Sequence, residues 1–330
     1  MDNQANNAGL EAKDCWIPGT EDVRFGLGGR TLVNLPLSAL IFDLPFTSLS
    51  GNLEDTVLPW SEFPAGVEVA VIPAHPICKK PARLKFLPRW IRYATASVRY
   101  SIDLRCTFPE YFSKLGSATR RDLKTGVRRF AELSGGQIKW QRFAAPPEVN
   151  DFYHLASEIS HHSWNERIDG PGFSGTIARE HIEVLAGEDR FRGYILFYGG
   201  RPIAFAYCEI HRGTVTYVKS GYDEKYGKHS PGSVLYCLFL ESLFAEKKYI
   251  CFDFGNGQQS HKSKLSTEAT QCAYALYFPR NVRNASILLT KTALEQVSMT
   301  AGKVLRLAGV RNKLKRLMKG KLARGPVEAG

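Results

Sequence analysis

Short runs rich in β-branched and aromatic residues, cut by glycine-bearing turns, fill residues 192–223. "RGYILFYGG", "RPIAFAYCEIHRG" and "TVTYVKSGYD" read as three strands in a meander, the first two joined by Gly199-Gly200, a hairpin signal. After "KHSPGS" an apolar run, "VLYCLFLESLFAEKK", reads as a helix with Ser230 as N-cap and Pro231 as first residue. "YICFDFGNG" is then a strand running into a glycine loop, and "ATQCAYALYF" is the last clear strand. A helix between the third and fourth strands predicts a crossover that lays those two strands parallel and adjacent.

Upstream, "VEVAVIP" and "WIRYATASVRYSIDL" carry strand composition, and "FPEYFSKL" and "SATRRDLKTGVRRFAEL" helical spacing. In the second helix Leu123, Val127, Phe130 and Leu133 form one apolar stripe, and Gly135-Gly136 stops it. "QIKWQRF" predicts a strand, "EVNDFYHLASEISHHSW" and "GTIAREHIEVLAG" two more helices. Residues 1–60 give only weak patterning around "FGLGG".

Composition narrows the class. An apolar fraction of 44% with 23% charged residues is globular, and 330 residues suffice for one large or two ordinary domains. No apolar run reaches membrane-spanning length, and the start "MDNQANNAGLEAKD" is not a signal peptide. Seven scattered cysteines without a Cys-x-x-Cys pair argue against a disulfide framework or zinc ribbon and fit a reducing, cytoplasmic setting. The net charge of +12 is uneven: residues 303–324 hold nine Lys/Arg and no acid, leaving about +3 elsewhere.

The start of the Ser230 helix is the first candidate site. A helix N-terminus offers unpaired N–H groups and the positive end of the dipole, an anion site, and Gly232 lets an anion approach the backbone. Lys225, Lys228 and His229 stand nearby in sequence. The same Ser-Pro-Gly is also an ordinary helix start. "GYDEKYGKHS" looks like a P-loop, but five residues separate Gly221 from Gly227 and His229 stands where Ser or Thr is required.

The third strand, loop, helix and fourth strand resemble the cofactor core of the GNAT acyltransferases. The ordered set "YSIDLRCTFPEYFSKLGSATRRDLKTGVRRFAEL", "SEISHHSW", "RPIAFAYCEIHRGTVTYVKSGYDEKYGKHSPGSVL" and "YICFDFGNGQQSHKSKLST" resembles the CelD-like, FemAB-related branch associated with cellulose and exopolysaccharide genes. The resemblance covers roughly residues 98–280. It departs from the superfamily in lacking the Gln/Arg-x-x-Gly-x-Gly/Ala loop, and Lys262 follows His261 rather than an aromatic residue, with Lys264 nearby.

The resemblance implies an α/β fold, a GNAT-type mixed sheet flanked by helices, with the N-terminal half as a degenerate second copy. It implies acetyl-CoA or another acyl-CoA as donor and no metal. Pyrophosphate would lie at Ser230, Gly232 and Ser233, and a backbone N–H near Ser220, Gly221 and Tyr222 would face the thioester. Tyr226 would pack on or bond to the cofactor, and Asp223 would order the loop. Asp253, at a strand end beside the expected cleft, is the candidate for acceptor binding or general-base work. Lys262 would neutralise a phosphate or the developing oxyanion. The acceptor would be a glycan or lipid-linked sugar. Two rival readings are a FemAB-like transferase using aminoacyl-tRNA, whose long helical-hairpin insertion is not evident, and a non-catalytic scaffold of a polysaccharide machine.

Other signals weigh less. His154, Glu158 and His162 share a helix face but read as a solvated edge, Cys208 reads as core, and "GFSG" is no nucleophile elbow. "RRDLKTGVRR" could touch phosphate or simply form an exposed basic face. In the tail Leu307, Val310, Leu314 and Leu317 fall on one face among basic residues, which suggests peripheral binding to an anionic membrane, docking on the domain or, without base-stacking motifs in support, nucleic acid. The expected division is residues 1–115, a GNAT-like domain at 116–280, and a helical basic tail at 281–330.

Overall fold

The structure is a computed structural model describing residues 13–27, 30–49, 53–163, 172–255 and 260–307. The chain forms two compact units: residues 1–43, 49–96 and 273–330, and residues 44–48 and 97–272. The breaks at 96/97 and 272/273 both lie inside strands. A reading that looks for linkers has no signal there.

The second unit is a mixed sheet with helices on both faces, the expected α/β class. Its strand order is β5 (Trp90–Asp103), β10 (Cys251–Asp253), β9 (Thr214–Tyr222), β8 (Arg201–His211), β7 (Phe191–Tyr198) and β6 (Trp140–Phe143). β7, β8 and β9 form the predicted antiparallel meander, and β10 runs parallel to β9, with Cys251–Asp253 opposite Thr214–Thr216. The alternation along β8 explains the two layers. Ala204, Ala206 and Cys208 face one core with helices α1 (Phe108–Lys114), α2 (Ser117–Leu133) and α5 (Pro231–Glu246). Phe205 and Tyr207 face a second core with α3 (Val149–His161) and α4 (Arg179–Gly187). A strand buried on both faces must be apolar throughout, which is why its polarity pattern is weak. A short helix, α6 (Ser260–Leu265), follows β10.

Local chemistry sets the helix boundaries. Thr107 and Glu110 close a capping box at α1: the Thr107 N–H donates to Glu110 at 2.7 Å and the Glu110 N–H to Thr107 Oγ1 at 3.4 Å. In α2 Leu123 and Phe130 are buried, but Leu133, at the end of the stripe, is exposed. α5 is buried around most of its circumference, so its apolar run lacks helical periodicity.

In the first unit β1 (Trp16–Leu27) and β2 (Arg30–Phe42) form a long antiparallel hairpin, and β2 pairs in parallel with β3 (Val69–Pro76). β4 (Leu84–Phe86) pairs with the start of β5. The closing part of β11 (Glu268–Pro279) belongs here, as does α7 (Val282–Leu307). Lys291 of α7 donates to the Arg24 carbonyl at 2.7 Å, and Tyr93 donates to Glu295 at 2.6 Å. The hairpin is the main element that sequence patterning missed. Much of it faces solvent, with Ile17, Leu27, Leu32 and Val33 exposed, so neither strand shows a clean alternation. The amphipathic stripe expected around Leu307–Leu317 lies outside the residues whose side chains are described. No helix among the described residues is long and apolar enough to cross a membrane.

Candidate functional site

β9 and β10 stay paired for three residues only. β10 ends at Asp253, while β9 continues to Tyr222, bonded to β8 on its other side. Where they part, β9 carries a bulge: Tyr207 pairs with Lys219 and Cys208 with Tyr217, so Val218 is the extra residue. A bulge twists its strand and frees backbone groups from the ladder. A cleft of about 610 Å³ opens at this point. One wall is Tyr217–Tyr222 of β9, the other is the start of α5, and Phe254, Lys262 and Leu265 complete it. Gly221 lies flat on Phe205: a Cβ there would stand 2.7 Å from the ring. At the far end, Gly255 has φ of +70°, and a Cβ would stand 3.0 Å from the Tyr217 carbonyl.

Seven of the ten residues to which the resemblance assigns a role line this one cleft: Ser220, Gly221, Tyr222, Ser230, Gly232, Ser233 and Lys262. Tyr226 does not. Its ring meets Tyr198 edge-on at 5.8 Å and packs against the core. Asp253 does not line it either. It is buried at the last position of β10, one residue before the cleft residue Phe254. Asp223 orders the loop, accepting the Lys225 N–H at 2.9 Å.

Ser230 corrects one expectation. It occupies the N-cap position but in the left-handed region, φ 51° and ψ 48°, and its side chain caps nothing. Its carbonyl accepts from Ser233 N–H at 3.0 Å and Val234 N–H at 3.1 Å. Pro231 has no N–H, so the Gly232 N–H at the cleft is left without a side-chain cap. An absent cap serves an anion site better than the predicted one, since a serine hydroxyl bonded to these amides would compete with a ligand.

Asp253 belongs to a buried ion pair that sequence reasoning missed. Arg99 donates to its Oδ2 at 3.0 Å and the Gly255 N–H to its Oδ1 at 2.9 Å. Burial pushes the Asp253 carboxyl above the ordinary range, against the pull of Arg99, the Gly255 N–H and Lys262. Lys262 donates to the Phe254 carbonyl at 2.7 Å. Burial lowers its pKa below the usual lysine value, Asp253 opposes this, and Arg99 adds to it. The sum over the three side chains, taken as ionised, is one positive charge next to the cleft.

Tyr236, on the inner turn of α5, also lines the cleft, and its ring stacks on Phe254 at 6.0 Å. Its hydroxyl stands 3.0 Å from that of Tyr111, which donates to the Leu265 carbonyl at 2.8 Å. Tyr111 has one hydrogen to give, so Tyr236 donates to Tyr111 and keeps its own lone pair as an acceptor. Two signals could have pointed here: Arg99 is a cation within a strand, and Tyr236 follows Gly232 by one turn. Neither names its partner, which comes from far along the chain. Cys208 is buried in the core, where desolvation raises its thiol pKa. His154 and Glu158 are exposed, and no metal-holding group of side chains occurs among the described residues.

Residues 117–263 match the family model of the acetyltransferase (GNAT) domain. No curated protein shows significant sequence similarity to the chain. Solved structures that resemble it include FemX, at 8% identity and a TM-score of 0.49, covering 87% of this chain and 98% of that one. Another is the C-terminal domain (DUF2156) assigned to a lysylphosphatidylglycerol synthetase of Agrobacterium fabrum, at 15% identity and 0.45, covering 73% of each chain. A third is L-PGS from Bacillus licheniformis, at 17% identity and 0.43, covering 61% of this chain and 66% of that one. The stretch that is similar to the acetyltransferase (GNAT) domain lies wholly inside the second unit and contains the α5 start, the parting of β9 from β10, and Lys262.

Proposed function

We propose that the protein is an acyl-CoA-dependent acyltransferase whose donor occupies the cleft between β9 and α5. The observation that carries this reading is the pairing of an uncapped helix start with the β9 edge left unpaired where β10 ends, beside the bulge at Val218, both on one cleft. Pyrophosphate would take the Gly232 amide and the positive end of the helix dipole. The pantetheine amides would pair with the free edge of β9, and a β9 amide near Gly221 would face the thioester carbonyl. In the reaction an amine or hydroxyl of the acceptor attacks that carbonyl carbon. The C–S bond breaks, the acyl group passes to the acceptor, and coenzyme A leaves as the thiol. Lys262 supplies positive charge where the oxyanion develops. Asp253, with both oxygens held, acts as a positioning residue: with Arg99 it fixes the end of β10 and the Phe254 carbonyl that orients Lys262. The acceptor we infer is a polysaccharide or cell-envelope precursor, on the resemblance of the chain to the CelD-like branch.

Calorimetric titration of acetyl-CoA, coenzyme A and a longer acyl-CoA into the full chain tests the donor. Saturable one-site binding, weakened at least about tenfold by Gly232→Phe, is expected. No binding of any of the three would overturn the reading. Transfer from a crude donor mixture that is lost on ribonuclease treatment would replace acyl-CoA by aminoacyl-tRNA.

A further inference from the structure

The first unit holds a second cavity, of about 700 Å³, that the acyl-transfer reading does not use. Its size is that of a small-molecule site. Two indoles line it, Trp60 and Trp90, and the polar groups around them are Glu54, Thr56, Ser61 and Arg89. Both tryptophans are half-buried, so each keeps accessible ring surface. They belong to one aromatic row. Trp60 meets Trp16 edge-on at 5.1 Å, and Phe63 stacks on Trp90 at 4.4 Å with an interplanar angle of 24°. Such contacts hold the indoles in fixed planes.

The polar groups are equally held. Glu54 accepts from Arg92 Nη2 at 2.5 Å on one oxygen and from Lys85 on the other. Arg92 is fully buried and also donates to the Leu53 carbonyl at 3.2 Å, so the carboxylate is pinned from below. The hydrogen bond from Lys85, with Arg92 beside it, keeps the Glu54 carboxyl below its ordinary pKa and hence ionised. Arg89 is exposed at the tip of the tight β4–β5 turn, which is closed by the Leu87 N–H on the Trp90 carbonyl at 2.8 Å. The cavity thus combines flat apolar faces with an oriented acceptor, the Ser61 hydroxyl and a planar donor.

We propose that this cavity is a saccharide-binding site, taking a pyranose ring with equatorial substituents against its indole faces. The chemistry selects that ligand. A β-gluco pyranose presents a flat face of axial C–H groups, which suits an indole, and a rim of hydroxyls. Those hydroxyls each give and take a hydrogen bond, which suits Glu54, Arg89 and Ser61 together. A nucleic acid would need cations for its phosphates, and here the ionised Glu54 offsets Arg89. The site goes beyond the donor cleft, and its test reads sugar binding rather than acyl transfer, so either idea can fail alone.

The test is an NMR titration of the full chain, followed through the indole N–H signals of its five tryptophans. The probes are cellohexaose and, for its axial hydroxyls, mannohexaose. Saturable shifts of the Trp60 and Trp90 signals with cellohexaose, and an unmoved Trp140 signal, are expected. Trp90→Ala should weaken binding at least about tenfold, and Arg89→Ala about threefold. Arg89→Ala alters an exposed turn tip and keeps the test valid if Trp90→Ala fails to fold. Unmoved Trp60 and Trp90 signals at millimolar cellohexaose, equal binding of mannohexaose, or binding that ignores both substitutions would overturn the proposal.

Discussion

Strand β5 carries a buried arginine into each unit, and the carboxylates they hold are shifted in opposite directions although each arginine pulls its partner down. Arg99 and Asp253 are both buried, and the carboxyl is pushed up because burial outweighs its partners. Arg92 is buried just as fully, but Glu54 reaches water and a second cation, Lys85, so its carboxyl is pulled down. The ion pairs are similar in geometry, at 3.0 Å and 2.5 Å. Solvent access of the acidic partner decides the sign. An acid shut in with its partner is an internal tie, whereas an acid pinned from behind and open in front presents its charge to a ligand.

Removing each arginine is the sharpest way to break this comparison. Arg99→Met should cost about 3–5 kcal/mol, since it strands a buried carboxylate. Urea denaturation measures it, and adding Asp253→Asn should restore part of the loss. Arg92→Met should cost less, about 1–3 kcal/mol, because Glu54 can turn to water. Equal losses in the two variants would show that solvent access does not separate the pairs.

The pH dependence should run in opposite directions. Glu54, held below its ordinary value of 4.5, adds stability above that pH and loses it as the pH falls through its own lower pKa. Asp253, raised above 3.8, favours the folded state below that value and loses this advantage as the pH rises through its raised pKa. Measured against Glu54→Gln and Asp253→Asn at a series of pH values, the wild-type advantage should therefore grow with pH in the first case and shrink in the second. Slopes of one sign would contradict the assignment.

Lys262 gives a smaller, functional effect. Its lowered pKa means that its charge, and the donor affinity it supports, should fall away at a pH below the ordinary lysine value of 10.5. Lys262→Arg should move that loss upward, and Lys262→Met should abolish the pH dependence while leaving residual binding. Last, Lys85→Met removes the outer contact of Glu54. An exposed pair of this kind contributes only about 0–1 kcal/mol, so the melting temperature should barely change.

Much of the second unit was legible before any coordinates. The meander, the α5 crossover and the parallel β9–β10 pair follow from strand composition, glycine turns and Pro231, all local signals. The helix start at Ser230 and Gly232 came with them, whereas Ser220–Tyr222 and Ser233 were singled out only by the resemblance to the GNAT acyltransferases. Tyr226 packs on Tyr198 outside the cleft lining, since an aromatic residue in a glycine-bearing loop suits a ligand and a core equally well. The β1–β2 hairpin escaped because its exposed faces mix apolar and polar side chains.

By itself the sequence determined the order and type of elements in the second unit and the backbone chemistry of its helix start, since both depend on near neighbours along the chain. Only the tertiary structure decided that Ser230 caps nothing, that Arg99 holds Asp253 and that Trp60 and Trp90 share a cavity. The physical reason is distance along the chain. Arg99 and Asp253 are 154 residues apart, and no pattern within either segment specifies which partner the fold will bring within 3.0 Å.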